Sequence, residues 1–329
     1  MTQVEAIACL NRLDRAILCE FETPLQPLKH LGQEIGIDGI YIKRDDLNGV
    51  GPGGNKVRAL EYLLGHAIKN NKDTIIASGQ KNSNLCTITA AACCKLGMNC
   101  VLVHNDYEPQ EYSGNALLNK ILGIDQYFIG NVTEEERNVF VKKLSQKYFA
   151  DGAHPFIIEN GATTPVGAIG YANIVLELFR SQEEDHISNI FVPAGNGGIA
   201  AGVILGNFIL GRPYNVHVVS VENSVDKLQT ILQKLLDEMR VILDIQTTLV
   251  VNDECTLYGD YIGEGWGIPT KESINILYKL ASYEGIFLEK IYTSKTLYGM
   301  LDILKKSSIQ NKRSCFVHSG GFGSLFAQF

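Results

Sequence analysis

An α/β fold, with a parallel sheet covered by helices on both faces, is what this sequence predicts, and three observations point to it. From about residue 39 onward, short β-branched runs alternate with segments of helical period. Glycine-rich turns stand at strand-to-helix junctions, most clearly near residues 51–54 and 195–198. The chain has 329 residues and is 45% hydrophobic, enough to bury one large core or two adjoining ones.

In chain order, strands are expected at residues 39–43, 74–78, 100–104, 126–129, 155–159, 189–193, 216–221, 248–251 and 314–318. Helices fill most gaps. Residues 57–70 carry Leu60, Leu63, Leu64 and Ala67 on one face, residues 85–96 are apolar, and residues 133–148 begin acidic and end basic, as the helix dipole favours. There is no repeat, no low-complexity segment and no Pro/Gly/Ser linker between contiguous domains. If two units exist, one interrupts the other, and the best inserted unit runs from roughly residue 59 to 169.

Composition narrows the function. The net charge is -7 and both signs are mixed along the chain, so no basic stripe exists to neutralise a nucleic-acid backbone. Eight cysteines lie mostly in apolar stretches without a CxxC pair or zinc-type spacing, which reads as reduced thiols in a cytoplasmic protein and predicts no metal. Charges recur every few positions through the first twenty residues, and no stretch approaches 18 uncharged apolar residues, so neither export nor membrane insertion is expected.

Four segments have the residue types of a site. In the first, Lys43-Arg-Asp-Asp-Leu47 and then Gly51-Pro-Gly-Gly-Asn-Lys56 place a lysine at the mouth of a helix. A cation there opposes the macrodipole. A phosphate-loop lysine, a Schiff-base lysine and an ordinary surface lysine compete to explain it. The phosphate loop is a near miss, because Asn55 precedes Lys56 and Val57 follows it. In the second segment, Ser78-Gly-Gln-Lys-Asn-Ser-Asn84, Ser83 and Asn84 occupy an N-cap position and equally a strand end that presents polar groups to a ligand.

The third segment, residues 189–202, is a strand, the turn Gly195-Asn-Gly-Gly198 and a helix start. It suits a phosphate cradle or simply a tight turn. Gly195, Gly197 and Ala200 also match a dinucleotide fingerprint, with Glu222 about twenty residues further on, so an NAD-dependent oxidoreductase is a rival reading. The fourth is a C-terminal group: residues 258–269, Ile291-Tyr-Thr293 and Phe316-Val-His-Ser-Gly-Gly321. Trp266, the only tryptophan, stands between two glycines as a possible pocket wall, and His318 reads as a hydrogen-bonded histidine at a strand end.

In this order and spacing the four segments resemble the family of D-cysteine desulfhydrase and 1-aminocyclopropane-1-carboxylate deaminase, among the tryptophan-synthase-β-like pyridoxal-phosphate enzymes of fold type II. The strongest element is IKRDDLNGVGPGGNKVRALEYLL. The resemblance implies two open, mostly parallel twisted sheets with helices on both faces. A large domain (1–58 and 170–329) and a smaller inserted one (59–169) would enclose pyridoxal 5'-phosphate. It also implies a cytoplasmic homodimer and a small amino acid as substrate.

Carried across by position, the resemblance makes Lys56 the Schiff-base lysine. Asn55 and Asn84 then lie beside the cofactor, and Gly195, Asn196, Gly197, Gly198 and Ile199 form its phosphate cradle. Thr293 and Ser319 take two ring-side positions that help separate the family's activities, and their hydroxyls favour the desulfhydrase side. Ser83 and Tyr292 become catalytic candidates. Asn82, Ser83, Asn84, Trp266 and Tyr292 become substrate contacts. Glu222 becomes the end of an ordinary strand.

Departures from the family cluster around the substrate: Asn82-Ser-Asn-Leu85 for Q-S-N-H, Gly195-Asn-Gly-Gly-Ile199 for G-S-G-G-T, Gly265-Trp-Gly267 for G-Y-G and Glu289-Lys-Ile-Tyr-Thr293 for D-P-V-Y-T. The implied reaction is Cα deprotonation by Lys56 and β-elimination of a thiol or related group, giving pyruvate and ammonia from a three-carbon substrate. Deamination, β-replacement and racemisation on the same cofactor are alternatives. A non-catalytic amino-acid sensor on the same fold is another.

Overall fold

The computed structural model describes residues 3–181, 186–307, 309 and 312–329, and among these the strands form two sheets. The larger sheet contains β1 (Leu25–Pro27), β2 (Ile40–Arg44), β7 (Asn189–Ala194), β8 (Asn215–Ser220), β9 (Cys255–Tyr258) and β10 (Ser314–His318). Its order is β1-β2-β10-β7-β8-β9, parallel except for the antiparallel edge strand β1. The smaller sheet is wholly parallel, with β3 (Thr74–Gly79), β4 (Asn99–His104), β5 (Asp125–Phe128) and β6 (Pro155–Ile158) in the order β5-β4-β3-β6. The α/β class expected from the alternating pattern is the observed one.

Parallel strands need cover on both faces, which is why β3, β7 and β10 read as unbroken apolar runs rather than alternating ones. Every residue of these three strands is buried. One apolar cluster joins the sheets, running from Leu63, Ile75 and Leu102 to Val192, Val203 and Val317. The other face of the larger sheet packs Ile42, Phe191, Val219 and Phe316 against Leu297, Met300 and Leu301 of the helix Thr293–Lys306.

One expectation is corrected, and two strands, β1 and β9, lie where none was expected. Residues 248–251 do not form a strand: Gln233 donates to Leu249 O and accepts from Val251 N, and the chain turns into the short helix Val251–Glu254 before β9 begins. The apolar Leu249 and Val251 are core anchors of that turn. β1 carried no strand signal, because it is three residues long and holds Pro27, which cannot donate to a ladder and is tolerated at an edge.

The Lys43-Arg-Asp-Asp segment has a structural role. Arg58, in the first turn of the helix Lys56–Lys69, donates twice to Asp45 at 2.7 Å and reaches Glu177 at 2.6 and 2.9 Å. Lys43 Nζ donates to the same Glu177 carboxylate at 2.6 Å. Two cations and two anions thus neutralise each other in the interior. Burial alone would raise the Glu177 carboxyl, but the charges and hydrogen bonds of Arg58 and Lys43 outweigh it and hold the group down at about 2. This network locks the start of the Lys56 helix to β2.

Candidate active site

In open α/β sheets the crevice at the carboxyl ends of the strands collects loops and helix starts. Here the ends of β3, β4, β6, β7, β8 and β10, with the loop after β2, border one cavity of about 480 Å³. Of the residues singled out from sequence, Asn55, Lys56, Asn82, Ser83, Asn84, Trp266, Tyr292, Ser319 and the segment 195–199 all line it. Thr293 does not. It is buried behind the wall, where its hydroxyl accepts from Glu289 N at 2.8 Å and lies 3.1 Å from Glu289 Oε1.

Lys56 is the first residue of its helix, and its Nζ donates to Gly161 O at 2.6 Å. Desolvation lowers its ammonium from an ordinary value of 10.5 to about 8. Its loop is held against the turn after β10. Gly54 bridges Gly320, and Asn55 N donates to Ser319 O at 2.9 Å. Only glycine allows this approach, since a Cβ on Gly320 (φ 103°) would sit 2.5 Å from Gly54 Cα.

Ser83 is both a cap and a wall residue: it precedes the helix Asn84–Leu96 and its Oγ accepts weakly from Cys86 N at 3.4 Å. Asn84 Oδ1 accepts from Asn115 at 2.7 Å and Asn82 Oδ1 accepts from Ala116 N at 3.1 Å, which fixes the loop to the helix Gly114–Ile121. The glycine segment leads into the helix Gly198–Ile209. Gly197 holds φ 83° at its start and, among the described residues, no side chain caps the helix, so first-turn N–H groups remain for an anion. Thr163 stands against Gly198, where a Cβ would lie 3.3 Å from the Thr163 hydroxyl.

On the fourth wall Trp266 Nε1 donates to the Tyr292 hydroxyl at 2.8 Å, with the rings edge-on at 6.4 Å. Burial pushes the Tyr292 phenol above its usual range, the Trp266 hydrogen bond opposes this, and Glu222 and Glu289 reinforce it. The Glu289 carboxylate is tied down, accepting from the N–H groups of Ile291, Tyr292 and Thr293 at 2.8, 2.7 and 2.6 Å. His318 is a bonded strand-end histidine: Nδ1 accepts from Gly320 N at 3.1 Å, so Nε2 carries the proton donated to Phe287 O at 2.9 Å.

Sequence reasoning missed several wall residues. Glu222 is more than a strand end: it borders the cavity, and a Cβ on Gly195 would lie 2.7 Å from its Oε2. Burial raises its carboxyl, Lys227 opposes this and Glu134 adds to it. Thr163, Glu289 and Arg137 also line the cavity. Arg137 gave no signal, because a basic residue in an acidic-led helix looks like a surface ion-pair partner.

A phosphorylated aldehyde cofactor needs an amine for its carbonyl, N–H donors for its phosphate and a flat wall for its ring. This cavity holds all three, in Lys56, the Gly198 helix start and Tyr292 with Trp266. Comparison with known proteins agrees. Residues 17–320 match the family of pyridoxal-phosphate dependent enzymes. A Pyrococcus horikoshii protein provisionally named a 1-aminocyclopropane-1-carboxylate deaminase is 35% identical over 97% of this chain and 95% of its own. A D-cysteine desulfhydrase of Salmonella paratyphi B is 32% identical over 97% of both chains. A crystal structure of an ACC deaminase homologue superposes with a TM-score of 0.89 at 34% identity, covering 98% of this chain and 96% of that one. The protein therefore belongs to the pyridoxal-phosphate-dependent enzymes, in the group that contains these deaminase and desulfhydrase relatives.

Proposed function

We propose that this enzyme is a lyase that removes the Cα proton of a small amino acid and eliminates a β substituent, with a thiol or related sulfur group as the leaving group. The observation that carries this reading is Lys56, a primary amine with a lowered pKa facing both an uncapped helix start and the Ser83 loop across one cavity. When bound, pyridoxal phosphate supplies an electron-accepting ring conjugated to the substrate nitrogen. Lys56 Nζ is its proposed covalent anchor and, once free, the base that takes the Cα proton. With an ammonium near 8, the amine is neutral often enough at neutral pH for that task.

The remaining roles follow from position. The first-turn N–H groups after Gly197 hold the phosphate, with the Thr163 hydroxyl beside them where Ile199 offers none. Asn55 and Asn84 orient the ring. Ser83 and the first turn of its helix seat the substrate carboxylate, and Asn82 completes that loop. Tyr292, kept protonated by burial and oriented by Trp266, donates a proton at the departing group. Thr293 acts through Glu289 to fix Tyr292, and Ser319 offers a neutral hydroxyl at the ring's edge.

The same reading proposes an enzyme built from a large part, 1–58 with 170–329, and an inserted part, 59–169, working as a cytoplasmic homodimer. Among the described residues no helix is long and apolar enough to cross a membrane. The test is the visible spectrum of the purified protein during additions of D- and L-amino acids, with product analysis for pyruvate, ammonia and the released group. Lys56→Ala should lose both the bound-cofactor band and turnover. An unaltered band in that variant removes Lys56 from its role, and a changed configuration without elimination products points to racemisation instead.

A further inference from the structure

The segment that follows β10 spans the cavity between the Tyr292 and Ser83 walls. Ser324, Ala327 and Gln328 line the cavity. They belong to residues 321–329, which pass through the short helix Phe322–Leu325 and reach the helix Gly114–Ile121. Large and small side chains divide by face in this strap: Phe322, Phe326 and Phe329 are exposed, whereas the lining positions Ser324 and Ala327 are small.

The strap is fastened to both walls. On the Ser83 side, a Cβ on Gly114 would lie 2.8 Å from Ala327 Cβ, 2.9 Å from Asn82 Oδ1 and 3.1 Å from Gly323 O, so these groups converge on a bare Cα. Asn115 donates to Asn82 O at 2.9 Å and to Asn84 Oδ1 at 2.7 Å, and its own Oδ1 sits so near Gly323 that a Cβ there would collide with it. On the Tyr292 side, the Glu289 side chain that accepts from Tyr292 N lies against Gly321, where a Cβ would likewise collide. Lys290 N donates to Gln328 Oε1 at 2.8 Å. Lys290 Nζ donates to Gln328 O and stands 3.4 Å from the centre of the Phe329 ring. The D-P-V-Y-T pattern has proline in this place, with neither the N–H nor the ammonium, so the Lys290 fastening depends on the departure from it.

A strap tied to both walls fixes the gap between them, and bulk on its inner face takes space from whatever lies there. We propose that residues 321–329 set the size limit for the substrate's side chain, with Ala327 and Gln328 as the limiting wall and Lys290 as the positioning residue that holds it. This inference rests on the amino-acid reading above and names the residues that keep its substrates small.

The test measures dissociation constants of the cofactor-loaded enzyme, from the visible band and by calorimetry, for alanine, 2-aminobutyrate, norvaline and norleucine in both configurations. Without a wall, each added methylene would strengthen binding about fourfold by apolar burial. In the wild type, affinity should instead fall about 10-fold or more between alanine and norleucine in the configuration that binds. Ala327→Leu should deepen the fall, costing norvaline about 10- to 100-fold relative to alanine, the range of overpacking. Lys290→Met should lessen it about 10-fold, and Lys290→Arg should restore most of it. Ratios to alanine separate a size limit from a general loosening, which weakens every ligand alike. Wild-type affinity that rises with side-chain length overturns the inference, as does an unchanged norvaline-to-alanine ratio in Ala327→Leu. Equal losses for all ligands in Lys290→Met overturn the role of Lys290. A loaded protein that answers to no amino acid overturns the amino-acid reading and this inference with it, whereas failure of the ratios alone leaves that reading standing.

Discussion

The lowered pKa of Lys56 makes a quantitative prediction about cofactor attachment. A free amine, not an ammonium, attacks an aldehyde, so the attachment rate follows the neutral fraction of Lys56. With an ordinary lysine near 10.5, about 0.03% is neutral at pH 7; with the buried value of about 8, about 10% is neutral, a gain of about 300-fold. The sign follows from desolvation, which disfavours the charged form in the folded protein. Protein stripped of cofactor and mixed with pyridoxal phosphate should therefore develop its visible band about tenfold faster for each pH unit up to 8. Above that pH the rate should level off. Stopped-flow absorbance between pH 6.5 and 9.5 measures this, with Lys56→Ala as the blank. A rate still climbing tenfold per unit at pH 9.5 would show an ordinary lysine and refute the role of burial.

Other perturbations have equally definite outcomes. Arg58→Met leaves the buried Asp45 without its cation and Glu177 with Lys43 as its one remaining cation, and should cost about 3–5 kcal/mol in urea unfolding. Glu177 has a depressed carboxyl, so its contribution is present above pH 4.5 and is lost as pH falls toward 2. The stability difference between wild type and Glu177→Gln should close over that window in unfolding curves taken at each pH. Gly320→Ala forces a left-handed φ on alanine and drives its Cβ into Gly54, so cofactor affinity measured by dialysis should fall by tenfold or more, on the order of 1–2 kcal/mol from φ alone. Trp266→Phe keeps an aromatic wall but removes the hydrogen bond to Tyr292; kcat/KM should drop by about 2- to 10-fold, the weight of one hydrogen bond, and any alkaline limb belonging to Tyr292 should move upward.

Much of this fold was legible because parallel strands advertise themselves. The runs around residues 74–79, 189–194 and 314–318 are apolar on both faces and end in glycine or hydroxyl turns, and each is a strand of the structure. The helix led by Thr133 was legible from its acidic first turn, which the Thr133 and Glu136 capping pair explains. Residues 248–251 misled because two buried anchors beside a helical turn have the same local pattern as a short strand. β1 was hidden because its pairing with β2 is a tertiary event that a three-residue segment with a proline does not announce.

By itself the sequence determined the α/β class, the glycine turns, the segments that line the cavity and the resemblance to pyridoxal-phosphate enzymes. Such properties depend on neighbours a few residues apart, so they survive in a linear reading. Only the tertiary structure decided which side chains share the cavity, because the ends of six strands and the loop after β2 meet there from positions spread between residues 55 and 320. It moved Thr293 behind the wall and brought Glu222 and Arg137 into the lining of the cavity. Burial exists only once distant segments pack, and on it rests the lowered pKa of Lys56.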